Sequence, residues 1–166
     1  MRQSDLALVV IRLQIASEPH LLLIRDEKWG DWTLVGGHVE THERKDWSRA
    51  AIRECNEELA PLRFGEDFVL LPLLNHPLQW GPIKSKSAKG ELTQYTAQLF
   101  TLRFLKPPSD CLAKLPPTSF KIVPEAEVVR PASATQATNV TTAARALGGL
   151  ERAALAWDQA LPSSLF

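Results

Sequence analysis

A run of aliphatic and β-branched residues from Leu6 to Ile15, interrupted by Arg12 and Gln14, sets the first limit on what this chain can become. The two polar residues alternate against Ile11, Leu13 and Ile15, which is the period of a strand. A second apolar run, Leu21 to Ile24, follows the turn residues Ser17, Glu18 and Pro19, so the two are expected to pair as a hairpin. A third short strand is predicted over Trp32 to Val35, after the turn at Gly30 and Asp31, and it is expected to stop at the pair Gly36 and Gly37. The pattern then changes. Ala51, Ile52, Cys55 and Leu59 recur at helical spacing, which predicts a helix from about Asp46, a suitable N-cap, to Leu59, closed by Pro61. Strands followed by an amphipathic helix and further strands define an α/β chain.

Further strands are predicted over Phe68 to Leu74 and, with the clearest alternation, over Tyr95 to Leu105. Asn75 to Leu92 between them reads as a long loop carrying His76, Pro77, Trp80, Lys84, Lys86 and Lys89. Pro107, Pro108, Pro116 and Pro117 exclude a helix or central strand from Lys106 to Thr118, leaving a surface excursion. Short strands follow at Phe120 to Val123 and Glu127 to Val129. A tail helix is expected from about Thr141 to Ala160, with Leu147, Leu150, Ala154, Trp157 and Leu161 as its core-facing stripe.

With 166 residues the chain has room for one domain, taken as 1–166, and 45% hydrophobic residues give it a full core without disulfides or structural metals. Cys55 and Cys111 follow no metal-ligand spacing and read as buried thiols in a reducing compartment, with the cytoplasm as the expected location. Apolar runs are too short for a membrane span or secretory signal. Nineteen basic and nineteen acidic residues cancel, which argues against a nucleic-acid duplex or an anionic membrane held by bulk charge. Positive charge for a polyanion would have to be local or supplied by a metal.

The segment R-E-C-N-E-E, Arg53 to Glu58, carries the chemistry. At 100° per residue Glu54, Glu57 and Glu58 share one helix face, beside the apolar stripe and so at the edge of the core. Like charges at these spacings repel by roughly a few tenths of a kcal/mol per pair on an exposed helix, and by more where water is scarce. A hard divalent cation would compensate; Mg²⁺ is held by carboxylates together with substrate phosphates. A solvated acidic face, with Arg53 pairing Glu57, is the competing reading of these three residues alone.

The segment G-G-H-V-E-T-H-E, Gly36 to Glu43, precedes this helix. Together the two segments resemble the signature of the Nudix hydrolases, the MutT-like family: glycine, five residues, glutamate, seven residues, then R-E-U-x-E-E-x-G-U, with U a bulky aliphatic residue. Gly37, Glu43, Arg53, Glu54, Glu57 and Glu58 occupy the family positions in order. The departures are specific. Nine residues separate Glu43 from Arg53, so two are extra, most simply placed around Arg44 to Asp46. Ala60 stands at the last glycine, Cys55 at a U position, and His42 at a common glycine. The resemblance implies a Nudix fold, an α/β/α sandwich with a mixed sheet between helices. It also implies Mg²⁺- or Mn²⁺-dependent hydrolysis of the pyrophosphate bond of a nucleoside diphosphate linked to a moiety X, such as a nucleotide sugar, ADP-ribose or a nucleoside triphosphate. By the same resemblance Glu54, Glu57, Glu58 and the Gly37 carbonyl would hold the metal, and Arg53 would orient Glu57 and Glu43. Glu54 is the preferred general base, with Glu91, Glu125 and Glu127 as the alternatives outside the motif.

Trp80 and Tyr95 are candidate stacking faces for a base, and Lys84 and Lys86, with Lys89, candidate phosphate contacts. Trp32 reads as core. The expected partner is a small nucleotide, with no duplex nucleic acid and no membrane, and a homodimer is left open. The alternative from another class is a Nudix-fold module that binds a nucleotide or a protein partner without hydrolysing it. An RNA-processing enzyme is disfavoured, because the chain has no basic run to track a nucleic acid.

Overall fold

A computed structural model describes residues 1–27, 30–86 and 88–129 and the backbone of 160–161. The opening apolar run serves two sheets. Its first part, β1 (Arg2–Val10), and its second, β2 (Arg12–Ile15), are separated by Ile11, whose carbonyl accepts the Leu22 N–H at 2.9 Å. Strand β2 forms the expected antiparallel hairpin with β3 (Glu18–Arg25). The third predicted strand is split into β4 (Trp32–Thr33) and β5 (Val35–His38). After a 3₁₀ turn, Thr41–Glu43, comes α1 (Ser48–Glu58). Strands β6 (Phe68–Pro72), β7 (Leu78–Lys84) and β8 (Leu92–Phe104) follow, then α2 (Pro108–Ala113), β9 (Phe120–Pro124), α3 (Glu125–Val129) and β10 (Ala160–Leu161).

One sheet has the order β5-β1-β8-β6, with β7 also on β8; the other has the order β10-β2-β3-β4, with β9 also on β3. Both are mixed: β1 runs parallel to β8 from Arg2 opposite Thr93 to Val10 opposite Thr101, and β10 runs parallel to β2, while the other pairs are antiparallel. A central strand covered on both faces needs apolar residues at consecutive positions. In β1, Ala7 and Val9 join a core with Ala50, Ala51 and Cys55 of α1, while Leu6, Leu8 and Val10 join a second core with Leu21, Leu34 and Leu99. The α1 start is fixed by Asp46, whose Oδ1 accepts the Ser48 N–H at 3.1 Å and its hydroxyl at 2.6 Å.

Four expectations are corrected. The strand does not stop at the glycines: β5 runs through Gly36 and Gly37, which pair with Leu8 and Ala7 of β1. A Cβ on Gly36 would lie 2.2 Å from the Ala7 carbonyl oxygen, at a φ of +140°, so glycine is demanded by close backbone approach within a strand. The supposed loop at 75–92 contains β7, whose register on β8 shifts between Trp80 and Ile83, where Gly81 and Pro82 interrupt the alternation. The proline-rich excursion contains α2, because Pro108 occupies the first helical position, where its missing N–H costs no bond. Glu127 to Val129 belongs to helix α3. The predicted tail helix lies outside the described residues except at its end, where Leu161 is in a strand opposite Ile15. Cys55 and Cys111 are free and buried, and none of the described helices is long and apolar enough to cross a membrane.

Candidate active site

Strand β5 and helix α1 bring the two halves of the motif together. Glu43, at the end of the 3₁₀ turn, is 2% exposed. Its carboxylate accepts Arg53 Nε at 2.9 Å and Nη2 at 3.1 Å, and the Glu40 N–H at 2.9 Å. Those bonds, the Arg53 fork foremost, hold the Glu43 carboxyl down at about 2 against the cost of burial. Arg53 also donates to Glu54 Oε1 at 2.7 Å and to the His38 carbonyl oxygen at 3.0 Å, while Glu57 lies 3.8 Å from its Nη1. The hydrogen bonds that Arg53 donates to Glu43 raise its pKa further, so the residue is a fixed cation joining turn, strand and helix. The two extra residues of the motif are taken up between Glu43 and Ser48, where the Asp46 N–H bonds the Glu43 carbonyl at 2.9 Å, and the ion pair is kept.

The glycine strand admits the carboxylates of α1. A Cβ on Gly37 would lie 2.3 Å from Glu54 Oε1, so the absent side chain is the space that Glu54 occupies. The Gly36 N–H donates to Glu58 Oε2 at 2.9 Å. Burial pushes the Glu58 carboxyl up to about 8; the Gly36 bond opposes the shift, and the charges of Glu54, Glu57 and Asp26 add to it. Glu54 is also raised, by burial first, with Arg53 opposing. Glu57 points outward, its side chain 61% exposed. The three carboxylates share a helix face as expected but each has its own neighbour, and among the described residues no three acidic, histidine or cysteine side chains are drawn together as a metal-holding group. Mutual repulsion accounts for this spread, Glu54 settling on Arg53 and Glu58 on a backbone N–H. Burial keeps the Cys55 thiol far above its ordinary pKa, consistent with a packing role.

Glu57 and Glu58 border a cleft of about 900 Å³. Leu6, Leu8, Leu34, Ile83 and Tyr95 supply apolar lining, and Gly36, Gly37 and His38 run along it beside the two glutamates. Lys84 and Lys86 line it too, and Lys86 pairs with Asp31 at 3.0 Å. Trp80 lies opposite Tyr95 across the β7–β8 pair and stacks on it, with ring centroids 5.6 Å apart and planes 11° from parallel; Tyr95, not Trp80, lines the cleft. Lys89 is not among the lining residues. Of the three glutamates outside the motif, Glu125 is paired with Arg12, and exposed Glu91 and Glu127 do not line the cleft either. Sequence reasoning missed Asp26 and Glu27, which reach the cleft from the turn between β3 and β4. The turn residues Gly30 and Asp31 were the available signal, but only the topology brings Asp26 and Glu27 to the cleft.

This arrangement, a carboxylate-bearing helix laid against a glycine strand at the mouth of an α/β cleft, defines a class of protein. Residues 5–79, somewhat under half of the chain, match the family model of the NUDIX domain. Among solved structures it is similar to Shewanella oneidensis NrtR, with a TM-score of 0.56 and 17% identity over 88% of this chain and 63% of that one. It is also similar to Caenorhabditis elegans Ap4A hydrolase, with a TM-score of 0.54 and 24% identity over 86% of this chain and 95% of that one. The DNA-bound form of the same NrtR gives a TM-score of 0.52 and 17% identity, over 86% of this chain and 60% of that one. The chain thus spans less than two thirds of NrtR. No curated protein sequence matches it.

Proposed function

We propose that this protein hydrolyses the pyrophosphate bond of a small nucleotide, a nucleoside diphosphate linked to a moiety X, with Mg²⁺ or Mn²⁺ as cofactor. One observation carries the reading: Glu58, half-buried against Gly36 and surrounded by the negative charges of Glu54, Glu57 and Asp26, is disfavoured as an anion unless a cation joins it. The donors fit a hard divalent ion, being carboxylate oxygens of Glu54, Glu57 and Glu58 with the carbonyl of Gly37. When bound, such an ion neutralises phosphate oxygens and lowers the pKa of the attacking water.

The chain's own residues supply the rest. The apolar lining with Tyr95 suits a base or other planar group, backed by Trp80, while Lys84 and Lys86 suit phosphate oxygens. Water attacks one phosphorus, the bridging P–O bond breaks, and Glu54, raised by burial, takes the water's proton. Arg53 and Glu43 act as positioning residues, holding Glu54 through the bonds described above. Incubation with Mg²⁺ and a panel of nucleotide sugars, ADP-ribose and nucleoside triphosphates should release phosphate or nucleoside monophosphate. Glu57→Gln and Glu58→Gln should each reduce turnover roughly a hundredfold or more while the protein stays folded. Unchanged turnover in both variants would remove the site assignment. The likeness to NrtR, which has been crystallised with DNA, keeps a second reading in view, a binding module that does not hydrolyse. Ligand binding with no product from any member of the panel would favour it.

A further inference from the structure

The side chain of His38 carries a feature that the proposed hydrolysis does not use. His38 follows Gly37 on β5 and lines the cleft beside Glu57 and Glu58. Its Nδ1 lies 3.0 Å from the hydroxyl of Ser4, on the neighbouring strand β1. Ser4 is 5% exposed, and among the described residues this is the only hydrogen bond of its hydroxyl. A buried hydroxyl has one hydrogen to donate, and leaving it without an acceptor is costly. The acceptor available is His38 Nδ1. The proton of a neutral imidazole must then reside on Nε2, because a nitrogen that accepts a hydrogen bond cannot also carry the hydrogen. The His38 carbonyl is held independently by Arg53 Nη2 at 3.0 Å, so the residue is tied at its backbone and at one ring nitrogen. Its Nε2–H has no protein partner among the described residues.

We infer that His38 is a substrate-contacting residue that donates an Nε2–H hydrogen bond to a phosphoryl oxygen of the bound diphosphate, and that Ser4 is the positioning residue that sets this tautomer. The inference rests on the phosphoanhydride reading of the cleft. A neutral donor suits a cleft that Glu57 and Glu58 also line, because an N–H dipole stays available to an anionic ligand. With Lys84 and Lys86 also lining the cleft, His38 would give the diphosphate an oriented contact in addition to its cationic ones.

The amide of Gln reaches the place of imidazole Nε2, whereas that of Asn reaches only the place of Nδ1, so the two substitutions separate the nitrogens. The probe is inorganic pyrophosphate, titrated in EDTA at mildly alkaline pH into ¹⁵N-histidine-labelled full chain, with His38 assigned by its loss in His38→Asn. The expected free-state signal has Nδ1 unprotonated and Nε2 protonated, with the Nε2 resonance moving as pyrophosphate binds. Ser4→Ala should return the ring toward the mixed tautomers of free imidazole. Calorimetry should place His38→Gln within about threefold of the parent affinity and His38→Asn roughly tenfold weaker, the range of one hydrogen bond to a charged group. A protonated Nδ1, or pyrophosphate affinity in His38→Asn equal to that of the parent, overturns the inference. Equal weakening in both variants overturns it as well, provided their melting temperatures match the parent. A negative hydrolysis panel with the Nε2 response intact would remove the proposed activity and leave this contact standing; hydrolysis with an indifferent His38→Asn would do the reverse.

Discussion

Replacing Glu58 with Gln should make the metal-free protein more stable in alkali, the opposite of what loss of a buried hydrogen-bonded side chain ordinarily does. Gln keeps an oxygen for the Gly36 N–H and removes the charge. In the fold the Glu58 carboxyl is pushed from 4.5 up to about 8, by burial and then by Glu54, Glu57 and Asp26. A folded-state pKa above the unfolded one means that the folded chain holds the proton more tightly. This side chain's contribution to stability is therefore complete below about pH 4.5 and is lost as pH rises toward 8. At about 1.36 kcal/mol per pH unit between the two states, the ceiling is roughly 5 kcal/mol. Glu58 is half-buried, and solvent screening brings the expectation to about 2 kcal/mol. Urea unfolding in EDTA at about pH 5 and about pH 9 should show the parent losing ~2 kcal/mol more than Glu58→Gln across that interval. A residual slope should remain in the variant, because Glu54 is raised in the same direction. Parallel pH profiles for the two proteins would refute the argument that Glu58 is an unfavourably placed anion.

The two glycines of β5 should respond differently to alanine. Gly36→Ala drives a Cβ to 2.2 Å from a backbone oxygen at positive φ, and a stability loss of roughly 3 kcal/mol or more should appear in thermal melts. Gly37→Ala meets the movable end of Glu54 at 2.3 Å, so the fold should hold within about 1 kcal/mol while turnover falls about tenfold or more. Similar melting temperatures for the two variants would contradict this distinction. Arg53→Lys keeps the charge but loses the fork on Glu43 and the reach to Glu54 and His38. It should reduce kcat by about a hundredfold with little change in KM, and near-parental kcat would show that the network does not position Glu54.

The helix that carries the motif was legible because its signals are local, acids and small apolar residues at helical spacing, whereas the glycine pair reads as the end of a strand and lies inside β5. The Glu43–Arg53 pair was legible through the resemblance, and the two extra residues left it intact because they fall in the connection before Ser48. What was missed depends on partners distant in sequence. Strand β7 is hidden by Gly81 and Pro82 and defined by its pairing with β8. Helix α2 begins at a proline, which at an N-terminus favours a helix that it would break further along. In α3, Val128 and Val129 suggested a strand, whereas the segment is helical, with Glu125 paired to Arg12 across the fold. Asp26, His38 and Ser4 reach the cleft region only through the pairing of β1, β3 and β5 with their neighbours, which no spacing in the sequence announces.

The most direct test of the account is calorimetric titration of Mn²⁺ into the parent protein and into Glu57→Gln and Glu58→Gln, each with excess inorganic pyrophosphate. The parent should bind the ion and each variant should bind it at least about tenfold more weakly, with melting temperatures no lower than the parent's. Equal Mn²⁺ affinity in all three proteins, or none in the parent, would contradict the claim that the carboxylates of α1 form a cation site beside the glycine strand.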